Sequence, residues 1–245
     1  MPAPSRRWPS QLLIAVVALV VCAALLYAYP RGAEPSALAA MRSDAEVAVH
    51  DRATSIELRP RGPVRGTGLV FHPGAKVDSR AYVPLLRPVA EAGYPVVVLK
   101  APFGMAILQP QQGAAAISRG PDRWVAGGHS LGGPTAARLA TAHPERVRGL
   151  LLWASYPDID LRGADLAVTS IYGTRDGLSA VPDVLGAPLP PTTDFVAVPG
   201  AIHAHFGDYG PQPGDGRPAT SRRQAQERII AATLHHLHRV DTAGR

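Results

Sequence analysis

Four stretches of this chain are apolar almost without interruption at strand length: "YPVVVLK" (94–100), "RWVAGG" (123–128), "VRGLLLWAS" (147–155) and "AVTSIYG" (167–173). A strand with one face in water alternates polar and apolar residues, whereas a continuous apolar run is buried on both faces. Such strands need helices above and below them, and the intervening segments supply helical patterns. "SRAYVPLLRPVAEAGY" places Tyr82, Leu85, Leu86, Val89 and Ala90 at helical spacing and stops at Gly93. "LGGPTAARLATAHP" carries its proline in the first turns, where a helix tolerates it. "TSRRQAQERIIAATLHHLHR" opens with Ser221 and Gln224 as a capping box and gathers Ile229, Ile230, Leu234 and Leu237 on a packing face. "RGTGLVFHPG" (65–74) and "DFVAVPG" (194–200) read as further buried strands. "EVAVHDRATSIELRP" (46–60) reads as alternating edge strands or a hairpin, and "GMAILQPQQGAAAIS" (104–118) as a broken helix. Strand and helix in alternation mean a mostly parallel, twisted α/β sheet covered on both faces.

Composition narrows the function classes. The 245 residues are 46% hydrophobic, enough for the core of one sizeable domain. The net charge of +6 is dispersed and carried by arginine, Lys76 and Lys100 being the two lysines, so nothing resembles a nucleic-acid footprint. One cysteine, Cys22, excludes an intrachain disulfide and a cysteine-based zinc site.

The N-terminus reads as an address. Arg6 and Arg7 precede an uncharged, almost wholly apolar run of 18 residues, 12–29, which is just long enough to cross the hydrocarbon core as a helix. Positive charge stays cytoplasmic, which puts the remainder of the chain outside. The expected organisation is a short cytoplasmic N-terminus (1–11), a single transmembrane anchor (12–29), a polar tether (30–44), a catalytic domain (45–240) and a tail (241–245). The alternative is a cleaved signal peptide and a secreted enzyme, with "ALAA" at 37–40 offering small residues for cleavage.

In an open parallel sheet, functional residues collect at the carboxyl ends of strands. After "RWVAG" comes Gly128-His129-Ser130-Leu131-Gly132, a G-x-S-x-G. A nucleophile on a tight strand-to-helix turn needs a strained backbone, and neighbours without side chains let strand and helix approach. The pattern arises by chance in roughly one chain in ten of this composition, so its position between strand and helix gives it weight. After "AVTSIYG" comes Asp176, placed to orient a histidine and stabilise its imidazolium. Asp158 and Asp160, after the preceding strand, are rival acids. After "DFVAVPG" come His203 and His205; His203 is nearer the strand end and is the expected general base. Ser, Asp, His in that chain order marks one hydrolase architecture among the serine-triad folds. Two backbone N–H groups are needed for the oxyanion: Leu131, after the nucleophile, and Ala75 in "FHPGAKVD", with Lys76 as runner-up. His129 is expected to pack or hydrogen-bond locally. His235, His236 and His238 are expected on a solvated helix end.

"GGHSLGG", "YGTRDGL", "HAHFGDYGPQPGDG" and the segment from "FHPGAKVDSRAY" to "PFGMAIL" resemble the α/β-hydrolase superfamily. More narrowly they resemble its small, lidless, dienelactone-hydrolase-like group, the alpha/beta hydrolase fold-5 domain, over residues of about 45–240. The resemblance implies a nucleophile at Ser130, an acid at Asp176, a base at His203 and oxyanion donors near Ala75 and Leu131. Two departures stand out: Ile202 replaces the asparagine common before the histidine, and His72 stands where tyrosine is common.

The expected function is a membrane-anchored serine hydrolase, carboxylesterase-like, that cleaves an ester or thioester through an acyl-enzyme and needs no metal or organic cofactor. Its partners are a small-molecule or lipid ester and the membrane. The rivals are a lipase or acyltransferase working on envelope lipids and a tethered binding protein that keeps the fold without turnover. Little or no lid is expected, although "DVLGAPLPPTTD" (183–194) has the length to fold over a pocket.

Overall fold

The computed structural model describes residues 14–17, 19, 31–100 and 111–243. Its strands are β1 (Val47–Asp51), β2 (Ser55–Pro60), β3 (Thr67–His72), β4 (Val96–Leu99), β5 (Arg123–His129), β6 (Val147–Trp153), β7 (Ala167–Gly173) and β8 (Asp194–Val198). They form one sheet in the order β1-β2-β4-β3-β5-β6-β7-β8. β2 runs antiparallel to β1 and β4, and every other pairing is parallel. The alternating segment 46–60 is thus the hairpin at one edge.

Helices cover both faces: α1 (Pro35–Ala40), α2 (Val83–Glu91), α3 (Gln111–Ile117), α4 (Gly132–Ala142), the short α5 (Val181–Leu185) and α6 (Arg222–Thr242). The period of two in each strand splits the core. Leu69, Phe71, Leu151 and Trp153 point into one cluster with Leu85 of α2 and Ile229 and Leu237 of α6. Val70, Leu150 and Leu152 point into the other with Trp124, Ala126 and Ala136. At α6, Ser221 Oγ accepts from the Gln224 N–H at 3.2 Å. The Gln224 side-chain oxygen takes the Ser221 hydroxyl at 3.0 Å instead of the backbone N–H of a full capping box.

Three expectations need correction. β8 is not buried on both faces: its burial alternates and Phe195 is 38% exposed, because it closes the sheet as an edge strand. Residues 31–44 are not a loose tether. Ala37 is fully buried, the Glu34 N–H donates to Asp208 O at 2.9 Å, and Ser36 Oγ donates to Asp208 Oδ2 at 2.7 Å, so the segment docks on the domain. The last helix end is not wholly solvated: His236 is fully buried and bonds Thr169 at 2.9 Å, while His235 and His238 stay exposed.

The apolar run 12–29 and the first part of the expected broken helix lie largely outside the described residues. Of the run, residues 14–17 and 19 are helical and exposed. No helix among the described residues is long and apolar enough to cross a membrane.

Candidate active site

Ser130 follows β5 directly and holds φ at +52°, a left-handed conformation that a serine adopts only when its surroundings enforce it. The enforcement is steric. A Cβ on Gly128 would sit 2.3 Å from Gly132 O, and one on Gly132 would sit 2.3 Å from His72 O. The turn therefore closes on itself and against the end of β3. The Ser130 N–H donates to Trp153 O at 3.0 Å, and Ser130 O accepts from the Gly133 N–H at 3.0 Å and from Ser155 Oγ at 2.5 Å. These bonds offset a backbone strain of roughly 1–3 kcal/mol.

The acid and the histidine leave the same sheet edge. His129 is paired with Trp153, Trp153 with Ile171, and Gly173 with Val198, so β5 to β8 end in near register. Neighbouring strands lie about 4.8 Å apart, which brings the three loops into one cluster. Asp176 Oδ1 accepts the Leu178 and Ser179 N–H groups at 2.8 Å each. Its Oδ2 lies 2.8 Å from His203 Nδ1, and both side chains are buried. An ionised carboxylate only accepts, so Nδ1–H donates to it, and in the neutral imidazole the lone pair is then on Nε2. Nε2 is buried and has no hydrogen-bond partner among the described residues.

Asp215 holds this arrangement together, and sequence reasoning passed over it. Oδ1 accepts from the N–H groups of His203 (3.0 Å), Gly177 (3.3 Å) and Gly216 (2.7 Å), and Oδ2 from that of Ala204 (2.8 Å). One carboxylate thus ties the histidine loop to the acid loop. The backbones interlock as well: a Cβ on Gly216 would sit 1.7 Å from Arg175 O. Ile202, the departure noted before the histidine, has no polar side chain to make such a link; the N–H groups of His203 and Ala204 are held by Asp215. The one signal in the sequence is an Asp-Gly pair in a polar loop, which reads equally well as a turn.

The loop after β3 is tied to the elbow through a second relay. The Gly74 N–H donates to Tyr82 Oη at 2.8 Å, and Oη lies 2.9 Å from His129 Nδ1. The hydroxyl proton is left available for Nδ1, which accepts it when His129 carries its proton on Nε2. Both residues are fully buried. Burial raises the Tyr82 pKa, and burial with the neighbouring His203 holds His129 well below the usual histidine range, so both stay neutral. The His129 ring lies 4.5 Å from that of His203. The elbow packs against the His72 and Pro73 carbonyls, at the start of the loop that carries Ala75. Neither amide has a hydrogen-bond acceptor among the described residues. Lys76, the runner-up donor, sits at φ +59° in the same turn.

The rivals fall elsewhere. Asp158 pairs with Arg138 and Asp160 with Arg162, all exposed on the surface. His205 is buried beside His203 on the same turn but bonds no carboxylate; burial, then the charge of Arg222, lowers its pKa. In segment 183–194, Leu189 is buried in the core cluster with Leu161 and Leu166, and Pro188 O accepts from the Leu161 N–H at 2.8 Å. That segment is held against the β6–β7 connection. Among the described residues, no group of three His, Cys, Asp or Glu could hold a metal ion. A groove of about 990 Å³ between β2, β4 and α3, lined in part by Leu58, Val97, Ala116 and Trp124, shares no residue with these loops.

A strained serine and a carboxylate–histidine pair on the carboxyl edge of a doubly covered sheet are the marks of an α/β-hydrolase. A family model for the alpha/beta hydrolase family matches residues 68–227, and the chain belongs to that family. Among solved structures, 726 chains match. One is alpha/beta hydrolase domain-containing protein 10 from mouse, with a TM-score of 0.50 and 12% identity over 77% of this chain and 97% of that one, a likeness of fold. No curated protein sequence matches.

Proposed function

We propose that the protein is a membrane-tethered serine hydrolase that cleaves an ester or thioester with Ser130 as nucleophile, His203 as base and Asp176 as orienting acid. The observation that carries the reading is the buried Asp176–His203 bond, which leaves Nε2 without a partner among the described residues, on the edge where the strained Ser130 sits. His203 Nε2 takes the Ser130 hydroxyl proton as Oγ bonds to the acyl carbon. The carbonyl electrons move onto oxygen, and the Ala75 and Leu131 amides hold that charge. The oxyanion collapses, the bond to the leaving group breaks, and His203 returns the proton to it. Water, deprotonated by His203, then releases the acid and restores Ser130. Asp176 stays ionised throughout, holding the imidazole in the useful tautomer and stabilising its charged form.

The tether rests on sequence: Arg6 and Arg7 before the apolar run 12–29 orient the domain outside the cytoplasm. Fractionation with N-terminal sequencing tests it, and a mature start near Ala40 would replace the anchor with a cleaved signal. A fluorophosphonate probe tests the chemistry. Wild type should label and Ser130→Ala should not; an unlabelled wild type would leave a tethered binding protein as the better reading.

A further inference from the structure

We infer that the mouth of this site faces the lipid surface and takes a long-chain acyl ester embedded there, an inference that rests on the serine-hydrolase and anchor readings. Arg31 follows the apolar run by two positions. Its N–H donates to Lys76 O at 2.5 Å and its carbonyl accepts from the Asp78 N–H at 3.0 Å, as a parallel bridge to Val77. The chain that leaves the apolar segment is therefore stitched to the turn that carries Ala75. In sequence, the apolar run ends two positions before this stitched point.

The stitching continues and removes the swivel. Glu34 pairs with Arg222, and Glu34 and Ser36 bond Asp208. Asp208 in turn accepts from Gln226 Nε2 at 2.7 Å. An anchor fixed at this point turns the carboxyl edge of the sheet towards the surface it enters.

That edge is dressed for apolar contact. Leu131, Tyr156 and Leu178 follow β5, β6 and β7 in turn and are 63%, 39% and 40% exposed. Three adjacent strand ends each present a large apolar side chain around Ser130 and Asp176. Isolated exposed hydrophobes need no explanation, but a cluster at a site's mouth marks a surface built for a partner. The occupant is lipid, because the residue stitched to the turn that carries Ala75 is preceded in sequence by an 18-residue apolar run of the kind that enters a bilayer. A water-soluble ester gains nothing from such a rim, whereas the acyl chain of an embedded ester reaches Ser130 across it without crossing water.

The test uses the full chain in phosphatidylcholine vesicles. p-Nitrophenyl butyrate reports the soluble reaction, and p-nitrophenyl palmitate dissolved in the vesicles reports the embedded one. Two variants separate the arms: Tyr156→Ser on the rim, and six Gly/Ser residues inserted between Pro30 and Arg31, which add about 20 Å of slack. In both, kcat/KM on the palmitate should fall about tenfold while that on the butyrate stays within twofold. Equal changes on the two esters, palmitate turnover unaffected by both variants, or turnover of butyrate alone would overturn the inference and leave the hydrolase standing. Failure on both esters together with failure to label would overturn the hydrolase reading and this inference with it.

Discussion

Asp215→Asn exchanges one oxygen for an NH2 group with almost no change in shape. The carboxylate accepts four backbone N–H groups, three on Oδ1 and one on Oδ2. An asparagine has one acceptor oxygen and one donor nitrogen. If the oxygen replaces Oδ1, the amide nitrogen faces the Ala204 N–H; if it replaces Oδ2, three amides face a donor. A bond to a charged acceptor contributes about 1.5–3 kcal/mol, and the remaining bonds weaken as the charge is lost, so the variant should lose roughly 3 kcal/mol. For a domain of this size that corresponds to a Tm lower by about 6–12 °C. The kinetic effect should be separate and larger. The carboxylate fixes the histidine loop against the acid loop, and a misplacement near 1 Å costs on the order of 100-fold in rate. We expect kcat for a soluble ester to fall between about 10-fold and 100-fold with KM little changed. Thermal melts by circular dichroism and steady-state hydrolysis measure both, with Asp158→Asn as the control, since its exposed pair with Arg138 should contribute about 0–1 kcal/mol. A variant with wild-type Tm and kcat within twofold would refute the clamp.

Tyr82→Phe leaves the buried Gly74 N–H and His129 Nδ1 without partners, at about 1–3 kcal/mol each, and should lower kcat more than it raises KM by loosening the Ala75 turn; melts and kinetics check it. Gly132→Ala drives a Cβ into the backbone oxygen of His72, which cannot swing aside as a side chain would, and should cost about 3 kcal/mol or more, seen as lost soluble expression or a collapsed Tm. Burial holds His72 at about 4 and His236 at about 3, against an unfolded value of 6.5. The unfolded chain therefore takes up protons that the folded one refuses as pH falls below 6.5. Stability should be full above that pH and should decline towards pH 4 by about 1.4 kcal/mol per pH unit for each histidine. His236→Gln should flatten the slope in denaturant titrations across that range, and an unchanged slope would count against the assignment.

The sheet was legible because its evidence is local. Continuous apolar runs of strand length such as "VRGLLLWAS" read as strands buried on two faces, and the structure makes β6 one of them. β8 shows the limit. "DFVAVPG" has the composition of a central strand, yet it lies at the edge, and nothing in seven residues states which neighbour is missing. The polar, proline-containing residues 31–44 read as a tether because their partners, Lys76, Asp208 and Arg222, stand far along the chain. His236 read as solvated for the same reason, since its partner Thr169 lies on another strand.

The candidate site divides along the same line. Sequence alone named Ser130, Asp176 and His203, because each follows a strand and the chemistry restricts the residue types that can stand there. Asp215, Tyr82 and the rim of Leu131, Tyr156 and Leu178 emerged only from the tertiary structure. Their roles depend on which distant backbone amides, rings and strand ends folding brings within a few ångströms, and chain order carries no record of those distances. Sequence determined the groups suited to the chemistry; packing decided which distant groups hold them.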